Sequence, residues 1–333
     1  MISMTDAEKE KTVLFDESAR YEFPKNIVRV TAGKGGEALL ILGSEKTALV
    51  DCGMAYCADK LIENIHNVLK KRNVQFGQEC SLDYILATHT HYDHIGAMVA
   101  VKTEWSEAKI CAGAYATKVF SREGAIQTIQ KMSNMASRLY GGTPNIQIDF
   151  EKMQVDRVLQ DGDTISLGEE QIRVLETPGH TNCSVSYGLE PQRILFLSES
   201  TGVIESEISV ISSTLKSFQD TIDSVEKCRA YHARQLVIPH YGIISEESQE
   251  KFWSLLKEDI DQKIDFVRIR LETQTEEEIL AEFLPYFWKE ERAESQPYDA
   301  YALNGKYEVK AILNYLNDRP QSDRVHEQVA NAD

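Results

Sequence analysis

Basic residues are in short supply: 36 Lys and Arg stand against 53 Asp and Glu, a formal net charge of −17. A surface that acidic repels phosphate backbones and anionic lipid headgroups over a Debye length, which argues against nucleic acid and membranes as partners. The chain also lacks any C-x-x-C pair, its six cysteines being scattered at 52, 57, 80, 111, 183 and 228. That excludes a disulfide-stapled scaffold and reads as reduced core thiols. There is no long Pro, Gly or Ser tract, which removes a disordered protein. No window is apolar over the length of a bilayer span, and Met1 to Val13 is polar without an apolar h-region, so the expected location is the cytoplasm.

What is present is 333 residues, 42% hydrophobic and 27% charged, enough for one large domain with an appendage. Short β-rich runs come first, at Asn26 to Thr31, Ala38 to Leu42 and Thr47 to Val50, and read as an antiparallel meander. From Ala58 to Lys71 the apolar residues Leu61, Ile62, Ile65, Val68 and Leu69 recur at helical spacing, and Tyr84 to Ala87 then reads as a buried strand. A longer helical stripe, with Ile129, Met132, Ala136 and Leu139 on one face, predicts a helical insertion over about 114–140, stopped by Gly141 and Gly142.

The second half repeats the scheme in outline. Strands are predicted at Arg157 to Leu159, Thr164 to Leu167, Ile172 to Glu176, Ser184 to Tyr187 and Ile194 to Leu197. A helix near Phe218 to His232 and a strand Leu236 to Pro239 follow. Past Ser245 the pattern is helical: Phe252, Leu256, Ile260, Ile264, Val267 and Leu271 form one stripe. Thr275 with Glu278 is a capping-box pattern opening a helix through Phe287, and a third helix covers Lys306 to Leu316. The expected division is a main domain over 1–245 and a helical extension over 246–333.

Five of the eight histidines fall in three short segments, each just after a predicted strand. Thr88-His89-Thr90-His91-Tyr92-Asp93-His94 places four ligand-type side chains within six residues. Imidazole and carboxylate are the donors that borderline divalent metals prefer. Adjacent Asp93 and His94 join His89 and His91 around one ion only with difficulty, so two neighbouring metals fit better. His180, in Thr177-Pro178-Gly179-His180-Thr181, and His240, in Pro239-His240-Tyr241-Gly242, are placed to complete a shared site. His66, His232 and His326 stand alone and read as ordinary surface or core histidines, and Cys183 and Cys52 as buried thiols.

These segments, together with Asp51 in Val50-Asp51-Cys52-Gly53, resemble the metallo-β-lactamase superfamily over about residues 25 to 245. The family pattern is H-x-H-x-D-H, a later His in a T-P-G-H-T turn, a bridging Asp and a final His. The resemblance implies an α+β fold, an αββα sandwich with helices outside two mixed sheets and the metal site at one edge. It further implies that His89, His91 and His180 hold one metal and Asp93, His94 and His240 a second, with Asp51 orienting the His loop. Where the family usually has Gly-Asp, this chain has Ser198-Glu199-Ser200. Glu199 is taken as a ligand whose reach differs by about one carbon–carbon bond; a Glu199 facing solvent, or supporting the ligands without binding an ion, would instead leave a mononuclear or unusually metal-selective site.

Two divalent ions, Zn2+ first and Fe or Mn next, are the cofactors this resemblance implies. Metal ions of this kind acidify a bound water and polarise a carbonyl, and Asp93 is the carboxylate expected to manage the proton as general acid and base. Lys and Arg are not clustered as in the RNA-processing branches, and His91 stands where flavodiiron oxygen reductases carry Glu, so hydrolysis is expected over redox chemistry. In layout the chain is similar to the quinolone-signal-biosynthesis thioesterase and to glyoxalase II. The expected substrate is a small acyl compound, a thioester before a lactone or other carboxylic ester and a β-lactam well behind. The C-terminal helices are expected as a lid or a homodimer contact. The competing reading is a metal-containing binding or regulatory protein with little turnover.

Overall fold

The computed structural model describes residues 15–77, 80–143, 145–290 and 296–318. The polar N-terminal segment, the end of the C-terminal extension and His326 lie outside the described residues.

The first sheet holds β1 (Ile27–Arg29), β2 (Leu39–Leu42), β3 (Thr47–Val50), β4 (Tyr84–Leu86), β5 (Lys109–Gly113) and β6 (Arg157–Leu159), in that spatial order. The expected meander is its antiparallel half, β1 to β3, and from β3 onward the strands are parallel. After β7 (Thr164–Ser166), β8 (Gln171–Glu176), β9 (Val185–Glu190) and β10 (Ile194–Phe196) comes a separate hairpin of β11 (Val203–Ser206) and β12 (Ser209–Ile211), and then β13 (Gln235–Ile238) and β14 (Gly242–Ile244). The second sheet runs β14-β13-β10-β9-β8-β7, with β10 and β13 parallel and its other pairs antiparallel.

Strand alternation builds the layers, because successive side chains leave opposite faces. In β2 and β3, Leu39, Ile41, Ala48 and Val50 point between the sheets, where they meet Ile172, Val174, Tyr187 and Phe196. Their neighbours Leu40 and Leu49 point outward onto Leu61, Ile65 and Leu69 of α1 (Ala58–Phe76). The same side carries α2 (Tyr92–Ile95), α3 (Met98–Glu104), α4 (Ala114–Phe120) and α5 (Glu123–Leu139). On the far side, Leu195, Leu197, Leu236 and Ile238 pack outward onto Phe218, Phe252, Leu256, Val309 and Ile312, from α6 (Phe218–Ala230), α7 (Glu246–Arg268) and α9 (Tyr298–Asp318), with α8 (Glu276–Phe287) between the last two. Burying a large aliphatic or aromatic side chain is worth about 1.5–3 kcal/mol, so both outer layers are held by their apolar stripes. The result is the αββα sandwich.

The insertion expected as one helix is two, broken at Ser121 and Arg122. The break keeps α4 on β5 and β6 while α5 crosses to pack on α2 and the turn at 55–57. Strand β5 and helix α3, absent from the sequence reading, are five and seven residues long, too short for periodicity to separate from loop. The C-terminal helices share one buried cluster with β10 and β13, and the Thr275–Glu278 capping box is formed in full.

Candidate metal centre

Strands β3 and β4 are parallel, and so are β10 and β13, with β8 in the same sense as β10 through the antiparallel β9. Their C-terminal ends therefore open at one edge of the sandwich. Asp51 follows β3, the His89–His94 loop follows β4, His180 follows β8, Glu199 follows β10 and His240 follows β13. Asp51 and His240 take positive φ values of 55° and 59°, sparsely populated for residues with a Cβ and costing of order 1–3 kcal/mol each. These turns are bent to aim side chains.

Two groups of donor atoms result: His89, His91 and His180, and Asp93, His94, Glu199 and His240, each group having its atoms within 4.8 Å of one another. The structure thus brings together all seven residues singled out in the sequence. Glu199 lies between the groups. Its Oε1 is 2.8 Å from His94 Nε2, 3.0 Å from His240 Nε2 and 3.6 Å from His89 Nε2, while Oε2 is 3.4 Å from His180 Nε2. Asp93 Oδ2 is 3.6 Å from His240 Nε2.

Hydrogen bonds around the rim decide which imidazole nitrogen faces inward. Asp51 accepts from Thr88 N–H at 2.8 Å, from the Thr88 hydroxyl at 2.7 Å and from His94 Nδ1–H at 2.7 Å. With its proton given to Asp51, Thr88 Oγ1 accepts from His89 Nδ1–H at 3.1 Å. His180 Nδ1–H donates to the Ser213 carbonyl at 2.5 Å, and its backbone N–H to Ser200 Oγ at 3.0 Å. The Nε2 atoms of His89, His94 and His180 consequently point into the centre. His89 Nε2 is buried and has no hydrogen-bond partner among the described residues, a costly arrangement for an acceptor left alone. Facing His91, His180 and the Glu199 carboxylate, this orphaned atom and its surrounding donor set fit a divalent ion.

The protonation pattern has physical causes. Burial, then the neighbouring imidazoles, hold His89 well below the ordinary 6.5; burial and His180 bring His91 down to about 3, and burial lowers His180. Burial opposes charge on His94 and His240 too, but Asp51 and Asp93 outweigh it at the first and Glu199 at the second, so both are raised. Burial likewise disfavours the Glu199 carboxylate, yet His180, His240 and His94 hold it well below the usual range. The phenols of Tyr92 and Tyr140 are raised by burial first and the Asp93 charge second, which keeps them neutral.

Two of the three lone histidines are described, and both stay out of the donor groups: His66 pairs with Glu104 at 2.6 Å and stacks on Trp105, and His232 follows the end of α6. Cys183 is buried against the hydroxyls of Thr90 and Thr181. Sequence reasoning missed Thr88, Ser200 and Ser213. Thr88 adjoins the His motif, but Ser213 is 33 residues from His180 and no local pattern marks it.

Residues 33–225, more than half of the chain, match the metallo-beta-lactamase superfamily. The chain belongs to that superfamily. Among curated superfamily relatives, the acyl-coenzyme A thioesterase MBLAC2 of Bos taurus is 27% identical over 172 residues, half of this chain and 58% of the bovine protein. A hydroxyacylglutathione hydrolase of Brucella anthropi is 28% identical over 116 residues, 35% of this chain and 32% of that one. The chain thus spans less than two thirds of either relative. A solved metallo-beta-lactamase family protein of Thermus thermophilus has the same fold, with a TM-score of 0.59 at 19% identity over 89% of this chain and 94% of that one. Among the described residues, no helix is long and apolar enough to cross a membrane.

Proposed function

We propose that this superfamily member is a metal-dependent hydrolase of carboxylic thioesters, with lactones and other esters as secondary substrates and zinc as the first choice of metal. The observation that carries the reading is the Glu199 carboxylate lying between two imidazole groups whose inward nitrogens include an orphaned acceptor. His89, His91 and His180 would hold one ion, and Asp93, His94 and His240 the other, with Glu199 between them. The chemistry such ions supply is an acidified water, its pKa moved from about 15.7 towards about 7, and polarisation of the acyl carbonyl. The remaining tasks fall to this chain's own residues. Asp93 accepts and returns the proton within reach of the reacting centre. Asp51, through His94 and Thr88, keeps two imidazoles in the tautomer that faces inward. Tyr92 and Tyr140 offer phenol donors to orient the acyl group. That two relatives carry thioesterase and hydroxyacylglutathione hydrolase names supports a thioester over a β-lactam.

The test is elemental analysis of protein purified without chelator, with hydrolysis of acyl-coenzyme A, glutathione and N-acetylcysteamine thioesters, homoserine lactones and a chromogenic β-lactam. The expected result is two zinc equivalents and saturable thioester turnover that His91→Ala abolishes. Metal-free protein that hydrolyses nothing on the panel and gains no turnover with added zinc, manganese or iron overturns the reading.

A further inference from the structure

Between α7 and α9, and away from the donor groups, lies a set of buried charges that the chemistry above does not use. Lys263 and Glu308 are 4% and 7% exposed, and Lys263 Nζ is 2.9 Å from Glu308 Oε1 and 3.1 Å from Asp259 Oδ2. Removing the Lys263 and Glu308 charges from water, with Asp259 partly buried beside them, costs several kcal/mol per buried ion, and apolar side chains of similar volume are often as stabilising. The reason for keeping them is to be sought in what they touch.

Their polar contacts converge on one residue. Ser212 donates to Asp259 Oδ2 twice, from its backbone N–H at 2.7 Å and its hydroxyl at 2.8 Å. Lys263 Nζ donates to the Ser212 carbonyl at 2.9 Å and to its hydroxyl oxygen at 3.2 Å. The hydroxyl also lies 3.5 Å from Glu308 Oε1. Ser212 is therefore gripped at its N–H, its carbonyl and its side chain by groups from two C-terminal helices. The next residue, Ser213, supplies the carbonyl that accepts from His180 Nδ1–H at 2.5 Å, and its hydroxyl is 3.1 Å from the same nitrogen and 3.4 Å from Glu199 Oε2. A carbonyl bonded to the outer nitrogen of a ligand histidine sets its tautomer and ring direction, and losing such a partner typically costs about 10–100-fold in metal affinity.

We propose that Asp259, Lys263 and Glu308 are positioning residues through which the C-terminal helices hold Ser212–Ser213 and so set the His180 imidazole for metal binding. This rests on the metal-centre reading above. It gives the helical extension a role at the centre without any of its residues touching an ion or substrate.

The experiment measures both zinc dissociation constants of the full chain by competition with a chromophoric chelator, with the cobalt absorption spectrum and the melting temperature of the metal-free protein alongside. Asp259→Ala removes the acceptor for the Ser212 N–H, whereas Asp259→Asn keeps an oxygen there. Lys263→Met/Glu308→Gln removes the donor to the Ser212 carbonyl at unchanged net charge. The expected result is that one zinc step weakens about 10–100-fold in Asp259→Ala and in the double variant, with an altered cobalt spectrum, while Asp259→Asn stays close to wild type. A purely structural role would lower melting temperature and leave both zinc constants alone. Equal zinc affinities for Asp259→Ala and Asp259→Asn overturn the proposal whatever becomes of the double variant. Wild-type protein that binds no zinc overturns the metal-centre reading and this inference with it; normal zinc binding by wild type and variants alike overturns this inference only.

Discussion

The extra methylene of Glu199 does not carry its carboxylate away from the imidazoles: Oε1 remains 2.8 and 3.0 Å from His94 and His240, and Oε2 3.4 Å from His180. Asp93 sits differently, half-buried and 3.6 Å from His240 Nε2. Asp93→Asn is expected to keep the fold and lower kcat by about 10²–10⁴-fold; a circular dichroism spectrum and steady-state rates on the best thioester check it, and near wild-type turnover removes the role. The histidines also predict how the metal-free chain responds to pH. His89, His91 and His180 are held below 6.5, so below that pH the unfolded chain takes up protons that the folded chain refuses. Stability then falls with pH, by roughly 1.4 kcal/mol per pH unit for each such group, from 6.5 down to about 3 for His91. Glu199, held below 4.5, adds to the loss in acid. His94 and His240 are raised, so their contribution is complete below 6.5 and is lost as pH rises through their folded values. Urea midpoints of the metal-free protein should peak near neutrality and fall on the acid side; a flat profile between about pH 4 and 6.5 would contradict this.

Among the elements, the turn after β8 depends on a single glycine. Gly179 has φ +136°, and a Cβ there would lie 2.2 Å from Thr221 Oγ1 and 2.9 Å from the Thr221 Cα and N. Because those last two are backbone atoms of α6, the neighbour cannot rotate aside. Gly179→Ala is expected to cost about 2 kcal/mol or more and, since His180 is the next residue, to weaken zinc binding as well; melting temperature and chelator competition check the two effects separately. The break between α4 and α5 is the other element-scale decision. A continuous helix would stay on β5 and β6, whereas the broken one sends α5 across α2 and brings Tyr140 within range of the Asp93 charge.

For the molecule as a whole, the C-terminal helices are covers of the second sheet. Phe252, Leu256, Ile264, Val309 and Ile312 belong to the same buried cluster as Leu195, Leu197, Leu236 and Ile238. Ending the chain after Ser245 would expose that sheet face, and each Å2 of apolar surface returned to water costs about 25 cal/mol against a typical net stability of only roughly 5–15 kcal/mol. The shortened chain is expected to aggregate or to show no cooperative unfolding, measured by size-exclusion chromatography and thermal melts. A monomeric, cooperatively melting fragment would show that the main domain is self-sufficient.

Much of this architecture could be read from the amino acids alone. Period-two alternation marked the strands, the apolar stripe past Ser245 marked the helices, and the capping box at Thr275 is formed as its residues dictate. Five histidines and Asp93 were legible for the same local reason, since each follows a recognisable strand and ligand chemistry is written in the side chain itself, whereas Glu199 was reached only through the resemblance to the family. What only the tertiary structure decided is how those donors are aimed. Thr88 passes the hold of Asp51 to His89 across 37 positions of chain, Ser213 reaches His180 across 33, and Lys263 reaches Ser212 across 51. Serine, threonine and lysine are common residues, and a hydrogen bond between distant segments leaves no periodicity in either. Which nitrogen of an imidazole faces the centre is set by its outer partner, and that partner exists only once the sheets have packed and the C-terminal helices have closed over them.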